Sequence, residues 1–393
     1  MPLHHPIPVT PGAASLAAGG AGPSRRQALA LGLAGALAAP WPGSAHALPL
    51  RTLQFPRDHG SHPDLRTEWW YITGHAVAGG REWGFQVTFF RSRVDVAQGL
   101  RSAFAARQLL FAHAAVTDLK GQRLLHDQRI ARAGFGVAQA SEADTAVRLQ
   151  DWSLVRSNID PAAGPDTTGA RSRYRASIQG EQFGLQLQFD STQPVLLQGR
   201  EGLSRKGPDA EQASYYYSQP QLTVSGTIAL GSERVAINPA QARAWMDHEW
   251  SEALLHPDAQ GWDWIGMNLL DGSALTAFRL RRADGTALWA GGSWRAGNQA
   301  TAKAFDASEV VFTPLRFWTS PQSGARYPVQ WRVQTPAGTF EVRSLLDSQE
   351  LDSSASTGAI YWEGLSELRE ADSGKVVGRG YLEMTGYAKA LRL

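Results

Sequence analysis

The stretch WMDHEWSEALLHPDAQGWDWIGMNLL, residues 245–270, decides how this chain is read. It crowds Trp245, Trp250, Trp262 and Trp264 among Asp247, Glu249 and Asp263, with His248 and His256 between them. Successive side chains of a strand point to opposite faces, so Trp245, Asp247 and Glu249 share one face and Met246, His248 and Trp250 the other. Asp263 likewise falls beside Ile265, Met267 and Leu269. A carboxyl group on such an apolar row either finds a buried partner or has its proton affinity raised by desolvation, and the second outcome makes it a candidate acid. A helical turn within residues 241–255 would undo these faces, and the local pattern leaves that open.

Outward from this stretch the chain has 393 residues, enough for about two domains with cores of their own. With 38 Lys plus Arg against 36 Asp plus Glu, no basic stripe recommends nucleic acid or an anionic membrane as partner. Fourteen Trp suit either the walls of an apolar cavity or the core of β-barrels and sandwiches. The absence of Cys excludes disulfides, thiolate metal ligands, a cysteine nucleophile and a lipoprotein anchor.

Residues 1–47 read as an export leader. Arg25-Arg26 precede a weakly apolar Ala/Gly/Leu run and then Ala45-His46-Ala47, the pattern of a twin-arginine signal with its cleavage site. The run is too short for a spanning helix, and no other segment approaches the apolar length a membrane span needs. The mature protein is therefore expected in the periplasm or outside the cell.

From residue 48 onward short alternating runs lie between Gly, Pro, Asp and Ser, and residues 69–72, 83–90, 111–116, 184–189, 221–228, 265–270, 275–280, 330–333 and 340–342 read as strands. Gly79-Gly80, Asp271-Gly272 and Asp284-Gly285 read as hairpin turns. Trp69-Trp70-Tyr71-Ile72, a Gly-Gly turn and Phe90-Arg91 parallel Trp262-Asp263-Trp264-Ile265, an Asp-Gly turn and Phe278-Arg279. The expectation is an all-β protein of two similar units, residues 48–251 and 252–393, which barrels or sandwiches would both satisfy.

Several longer motifs carry a resemblance. His62-Pro63-Asp64-Leu65-Arg66-Thr67-Glu68-Trp69-Trp70-Tyr71, Gly202-Leu203-Ser204-Arg205-Lys206, Tyr215-Tyr216-Tyr217-Ser218-Gln219-Pro220, Trp245-Met246-Asp247-His248-Glu249-Trp250, Gly261-Trp262-Asp263-Trp264 and Tyr361-Trp362-Glu363-Gly364 occur in that order. In these the chain resembles the AttH-like family, which includes carotenoid 1,2-hydratase. The resemblance implies two tandem lipocalin-like antiparallel β-barrels able to enclose a ligand. It also implies water addition to a terminal isoprenoid double bond: an acid protonates the alkene, aromatic rings shelter the cation and water captures it. The family's His and Trp carry over to His248 and Trp250, with Asp247 beside them. Asp263 is the expected acid on its apolar neighbours and not on a motif match. Carotenoid hydratases work at the cytoplasmic membrane, whereas this chain bears an export leader, and fold alone does not fix reaction.

The expected catalytic residues are thus Asp263, His248 and Asp247, and the expected ligand-binding residues Trp245, Trp250, Trp262, Trp264, Trp70, Tyr216 and Glu68. Each has a plainer reading beside it: His248 satisfied by a neighbouring strand, Asp263 in a structural hydrogen bond, Glu68 in an ion pair with Arg66 or Arg91, Tyr216 in barrel packing. His62-Pro63-Asp64 reads as a turn without chemistry. His248-Glu249 lacks the second His of a zinc helix, so no metal is expected. No nucleophile elbow, phosphate loop or dinucleotide fingerprint occurs, and the loop around Ser204 reads as covering or entering a cavity. The expected partner is an apolar small molecule, with no nucleic acid and no cofactor, either hydrated or hydrolysed by acid–base chemistry or simply carried as by a periplasmic carrier or envelope-attachment factor. Oligomeric state, and whether the site lies in one barrel or between two, stay open.

Overall fold

The computed structural model describes residues 47–391 apart from Pro165 and Asn298, so the leader lies outside the described residues save Ala47. The first sheet contains β1 (Thr67–Ala78), β2 (Arg81–Arg93), β3 (Gln108–Asp118), β4 (Arg123–Arg132), β5 (Ala138–Ala140), β6 (Ala146–Leu149) and β7 (Trp152–Asn158). It continues with β8 (Ser172–Gln179), β9 (Phe183–Asp190), β10 (Leu196–Leu197), β11 (Leu203–Arg205), β12 (Ala213–Leu230) and β13 (Glu233–Ala253). The second sheet contains β14 (Gly261–Leu269), β15 (Ala274–Arg281), β16 (Ala287–Arg295), β17 (Lys303–Phe305) and β18 (Val311–Thr319), then β19 (Arg326–Thr335), β20 (Gly338–Ser344), β21 (Glu350–Ser353), β22 (Ala359–Glu370) and β23 (Val376–Met384). Of residues 241–255, where a helical turn was open, 241–253 are strand and none is helical.

Both sheets are antiparallel meanders in which the first strand pairs with the second and also with the last: β1 lies between β2 and β13, and β14 between β15 and β23. Each is therefore seamed by its chain ends, leaving its gap mid-sequence. In the first sheet the gap is nearly closed by side chains: Arg129 of β4 donates to the Gln179 carbonyl at 3.2 Å, the Glu181 amide donates to Asp127 of β4 at 3.1 Å, and the Arg129 guanidinium covers Trp152. The β1–β2 turn needs positive φ at two successive residues, which Gly79 and Gly80 supply at 57° and 70°.

Among the described residues, alternation then sorts side chains into three large cores and a small fourth cluster of Ala115, Leu351 and Tyr361. Trp70, Ile72, Phe89, Met246 and Trp250 fill the first barrel, and Ile265, Met267, Trp331, Trp362 and Met384 the second. The opposite faces of the same strands meet between the sheets, where Tyr71, Trp245, Trp264, Phe278, Leu365 and Tyr381 pack together. The approach is close at Gly84, where a Cβ would lie 2.7 Å from the Tyr381 hydroxyl oxygen and 3.0 Å from Leu365. Polar bonds stitch the same boundary: His113 to the Tyr361 hydroxyl at 2.9 Å and Thr117 to Gln349 at 2.9 Å. Among the described residues no helix is long and apolar enough to cross a membrane.

Candidate functional site

Strand β13 presents two different chemistries on its two faces. Inward, His248 sits opposite Trp70 across the β1 seam and stacks on it at 4.8 Å. Its Nε2 lies 3.0 Å from Glu68 Oε1, and its Nδ1 lies 3.2 Å from the Tyr217 hydroxyl, which is itself 2.6 Å from His59 Nδ1. A single proton direction satisfies this chain: His59 donates to Tyr217, Tyr217 to His248, and His248 to Glu68. Glu68 further accepts from Arg91 Nε at 2.8 Å, Ser61 at 2.9 Å, the His62 amide and His62 Nδ1 at 2.7 Å. Burial would raise Glu68, but the hydrogen bonds from His248 and His62 outweigh it and hold the carboxyl well below its ordinary value. Burial likewise pushes His248 down, against the pull of Glu68.

His62, read from sequence as part of a turn without chemistry, thus turns out to brace this hub. Its ring stacks on Trp250 at 3.9 Å, and its second nitrogen lies 3.0 Å from Asp58. His62, Glu68 and His248 bring ligand-type atoms within 4.8 Å of one another. A metal ion there would have to displace hydrogen bonds that occupy both Glu68 oxygens and would sit against the Arg91 guanidinium, so the trio fits a hydrogen-bond hub better than a cation site.

Asp263 points the other way, into the second barrel. Arg279 Nε stands 2.7 Å and Arg281 Nε 3.1 Å from its Oδ2, and the Tyr387 hydroxyl donates to Oδ1 at 2.8 Å. The apolar row was read rightly as buried, and of the two outcomes open to such a carboxyl the structure shows the first: it has buried partners in two guanidiniums and a phenol. Asp263 and His248 do not meet at a shared void.

The outward face of β13 opens on a cavity of about 370 Å³ between the two sheets. Trp69, Trp262, Trp264 and Tyr361 contribute aromatic wall, and Asp247, Glu363 and Glu383 contribute carboxyl groups. Asp247 accepts from the Tyr216 hydroxyl at 2.8 Å, from Ser218 at 2.5 Å and from the Trp245 indole at 2.7 Å. These donors are neutral, and burial wins: the carboxyl is pushed up to about 7. Glu363 on β22 and Glu383 on β23 are directly opposite in register. Burial raises both, Glu363 further through repulsion from Glu383, while Glu383 is pushed up to about 8 despite a hydrogen bond from Trp262. Glu363 Oε1 is buried without a hydrogen-bond partner among the described residues. Three carboxyl groups whose proton affinity burial raises thus face one aromatic cavity.

Comparison with known proteins bears on this arrangement. The sequence matches the AttH-like family profile across residues 46–387. The chain belongs to the AttH-like family. It is similar to a crystal structure from Nitrosomonas europaea that carries the AttH designation, at 44% identity and a TM-score of 0.77, covering 87% of this chain and 99% of that one. It is also similar to kievitone hydratase of Fusarium solani subsp. phaseoli, 22% identical over 217 residues, which span 54% of this chain and 60% of the hydratase. The crystal structure of kievitone hydratase from Nectria haematococca, 14% identical with a TM-score of 0.62, shares the fold over 87% of this chain and 98% of its own.

Within this AttH-like chain, the residues singled out from sequence divide by face. Asp247, Trp262, Trp264, Tyr216 and Glu68 line the cavity. Trp245 packs behind Asp247 between the sheets, whereas Trp70, Trp250 and His248 belong to the first barrel's interior and Asp263 to the second's. Glu363 stood inside a quoted motif without being weighed. Glu383 was missed: its own row on β23 carries Arg379 and Tyr381, not the run of apolar residues that drew attention to Asp263.

Proposed function

We propose that this protein is a cofactor-free enzyme of the hydratase type, adding water to a carbon–carbon double bond of an apolar, isoprenoid or lipid-like molecule held between the two sheets. The observation that carries the reading is a proton-retaining carboxyl, Asp247 at about 7, on the wall of an aromatic cavity. In the forward direction the alkene π pair takes the Asp247 proton and forms a C–H bond. The resulting cation faces the rings of Trp262, Trp264 and Tyr361. A water oxygen then forms the C–O bond and returns its extra proton to the carboxylate, so the acid is regenerated. Glu383 and Glu363 supply a second proton-holding pair on the opposite wall, suited to orienting that water. The likeness to kievitone hydratase supports the class of reaction, and the substrate is part of the proposal. A pure carrier would be better served by apolar side chains at these three positions, since each buried carboxyl opposes folding.

Export through the twin-arginine route belongs to the same proposal and rests on Arg25-Arg26 and Ala45-His46-Ala47. The test is incubation of the purified protein with a panel of unsaturated isoprenoid alcohols and prenylated phenols in heavy-oxygen water. The expected product is a labelled alcohol whose formation falls by about 100-fold or more in Asp247→Asn. Turnover unaffected by Asp247→Asn and Glu383→Gln, or no labelled product from any panel member, would refute it.

A further inference from the structure

The motif Gly202-Leu203-Ser204-Arg205-Lys206 ends in a buried amine that the hydration step does not use. Strand β11 lies against β12, the Lys206 amide donates to the Gln212 carbonyl at 2.8 Å, and the Arg205 carbonyl accepts from the Trp289 indole of the second sheet at 3.1 Å. Both sheets therefore fix where Lys206 projects. Its side chain is 8% exposed, its Nζ stands 3.0 Å from Glu249 Oε1, and it lies 4.5 Å over the Tyr216 ring and 4.2 Å over the Phe278 ring. Lys206 and Glu249 both line the cavity.

An ammonium carries three N–H donors, and among the described residues only one meets an oxygen, that of Glu249. The rest face the Tyr216 and Phe278 rings and the open cavity, where they meet π-faces but no oxygen among the described residues. Arg91, the other buried cation on the wall, has given its donors to Glu68, Gln108 and the His62 carbonyl. A Lys–Glu pair is a poor wall for a site meant to hold hydrocarbon, because desolvating two charges costs more than packing apolar side chains of the same size. The cost is offset if a ligand oxygen completes the ammonium's shell.

We propose that Lys206 selects the substrate: it donates a hydrogen bond to an oxygen of an otherwise apolar, unsaturated molecule, so the cavity takes oxygenated isoprenoid-like ketones, aldehydes or alcohols in preference to hydrocarbons. Tyr216 sets the scale, since its ring lies under the ammonium while its hydroxyl holds Asp247. The bound oxygen therefore lies within a few bonds of the carbon that Asp247 protonates. This assignment rests on the cavity being the substrate site but not on the hydration step.

The experiment compares farnesal, farnesol and farnesene, which share one carbon count and differ in oxygen, by quenching of tryptophan fluorescence. In the wild-type protein the two oxygenated probes bind about tenfold or more tighter than farnesene, the worth of one hydrogen bond to a charged donor, and in Lys206→Met the difference shrinks to about twofold. The double variant Lys206→Met with Glu249→Gln removes the carboxylate that the single change strands, and shows the same loss of preference. An unchanged preference in both variants, a preference for farnesene, or no binding of any probe to the wild-type protein overturns the assignment. Preference lost as expected, with no labelled alcohol formed, would sink the hydration reading and leave Lys206 as the selecting group.

Discussion

Asp247→Asn should make the protein more stable above neutral pH while removing the proposed proton donor. In the folded protein the Asp247 carboxyl holds its proton up to about 7, whereas in the unfolded chain it ionises at its ordinary 3.8. Between these values the folded state binds more protons than the unfolded one, so this group makes stability fall as pH rises, and the loss is complete above about 7. At about 1.4 kcal/mol per pH unit the interval amounts to roughly 4 kcal/mol, all of it absent from the amide. Asn keeps an oxygen for Ser218 and the Trp245 indole, and its NH₂ can donate to a Tyr216 hydroxyl that turns to accept. The hydrogen bonds from Ser218, Tyr216 and the Trp245 indole already hold the carboxyl down to about 7, so the net gain near pH 8 is the full interval, roughly 4 kcal/mol. Urea unfolding followed by tryptophan fluorescence at several pH values reads this directly. The gain should grow from near zero at about pH 4–5 to its full size at about pH 8. A gain or loss that stays constant across that range would show that Asp247 does not hold its proton, and the acid role would fall with it.

Two further outcomes follow from the other buried carboxyls. Glu68→Gln should destabilise by about 3–5 kcal/mol, because Arg91 is left buried beside a neutral group. Glu68 stays ionised from about pH 5 upward, so equal penalties at pH 5 and pH 8 are expected in urea melts, and a penalty that vanished at pH 5 would contradict its depressed proton affinity. Asp263→Asn should cost stability of the same order by stranding Arg279 and Arg281, yet leave labelled-alcohol formation per folded molecule within about twofold. A collapse of turnover in properly folded Asp263→Asn would return that residue to the chemistry.

How much of this was legible depended on whether a property belongs to one strand or to two. The face assignment along β13 follows from its own alternation, and Trp245, Asp247 and Glu249 do part from Met246, His248 and Trp250. The parallel between the Trp69 and Trp262 hairpins was legible for the same reason, and it matches the equivalent places of β1 and β14 beside the last strand of each sheet. What decides Asp263 comes from elsewhere: Arg279 is its direct partner across β15, and Tyr387 arrives from the chain's end. His62 was opaque because its partner Glu68 meets His248 only through the β1–β13 seam, which no local pattern announces. Glu363 and Glu383 became a pair only by the β22–β23 register.

Burial alone therefore does not make an acid here, and the contrast between Glu68 and Asp247 shows what does. Both are fully desolvated carboxyls on neighbouring strands of one barrel, and desolvation pushes both upward. Glu68 meets a guanidinium and two imidazoles and stays an anion, whereas Asp247 meets a tyrosine, a serine and an indole, with Glu249 repelling from nearby, and keeps its proton. The anion's work is mechanical: it ties His62 in the chain before β1, Arg91 of β2 and His248 of β13 into one knot, behind the strand that carries the acid. Asp247 is two strand positions from Glu249 and one from His248, so any slack in that knot would be felt at the cavity wall as a misplaced proton donor, and misplacement by about 1 Å is enough to cost a large factor in rate. His248, which the sequence motif points to, and His62, which it does not, would thus act on the proposed chemistry through position, and the proton would belong to Asp247 on the cavity side.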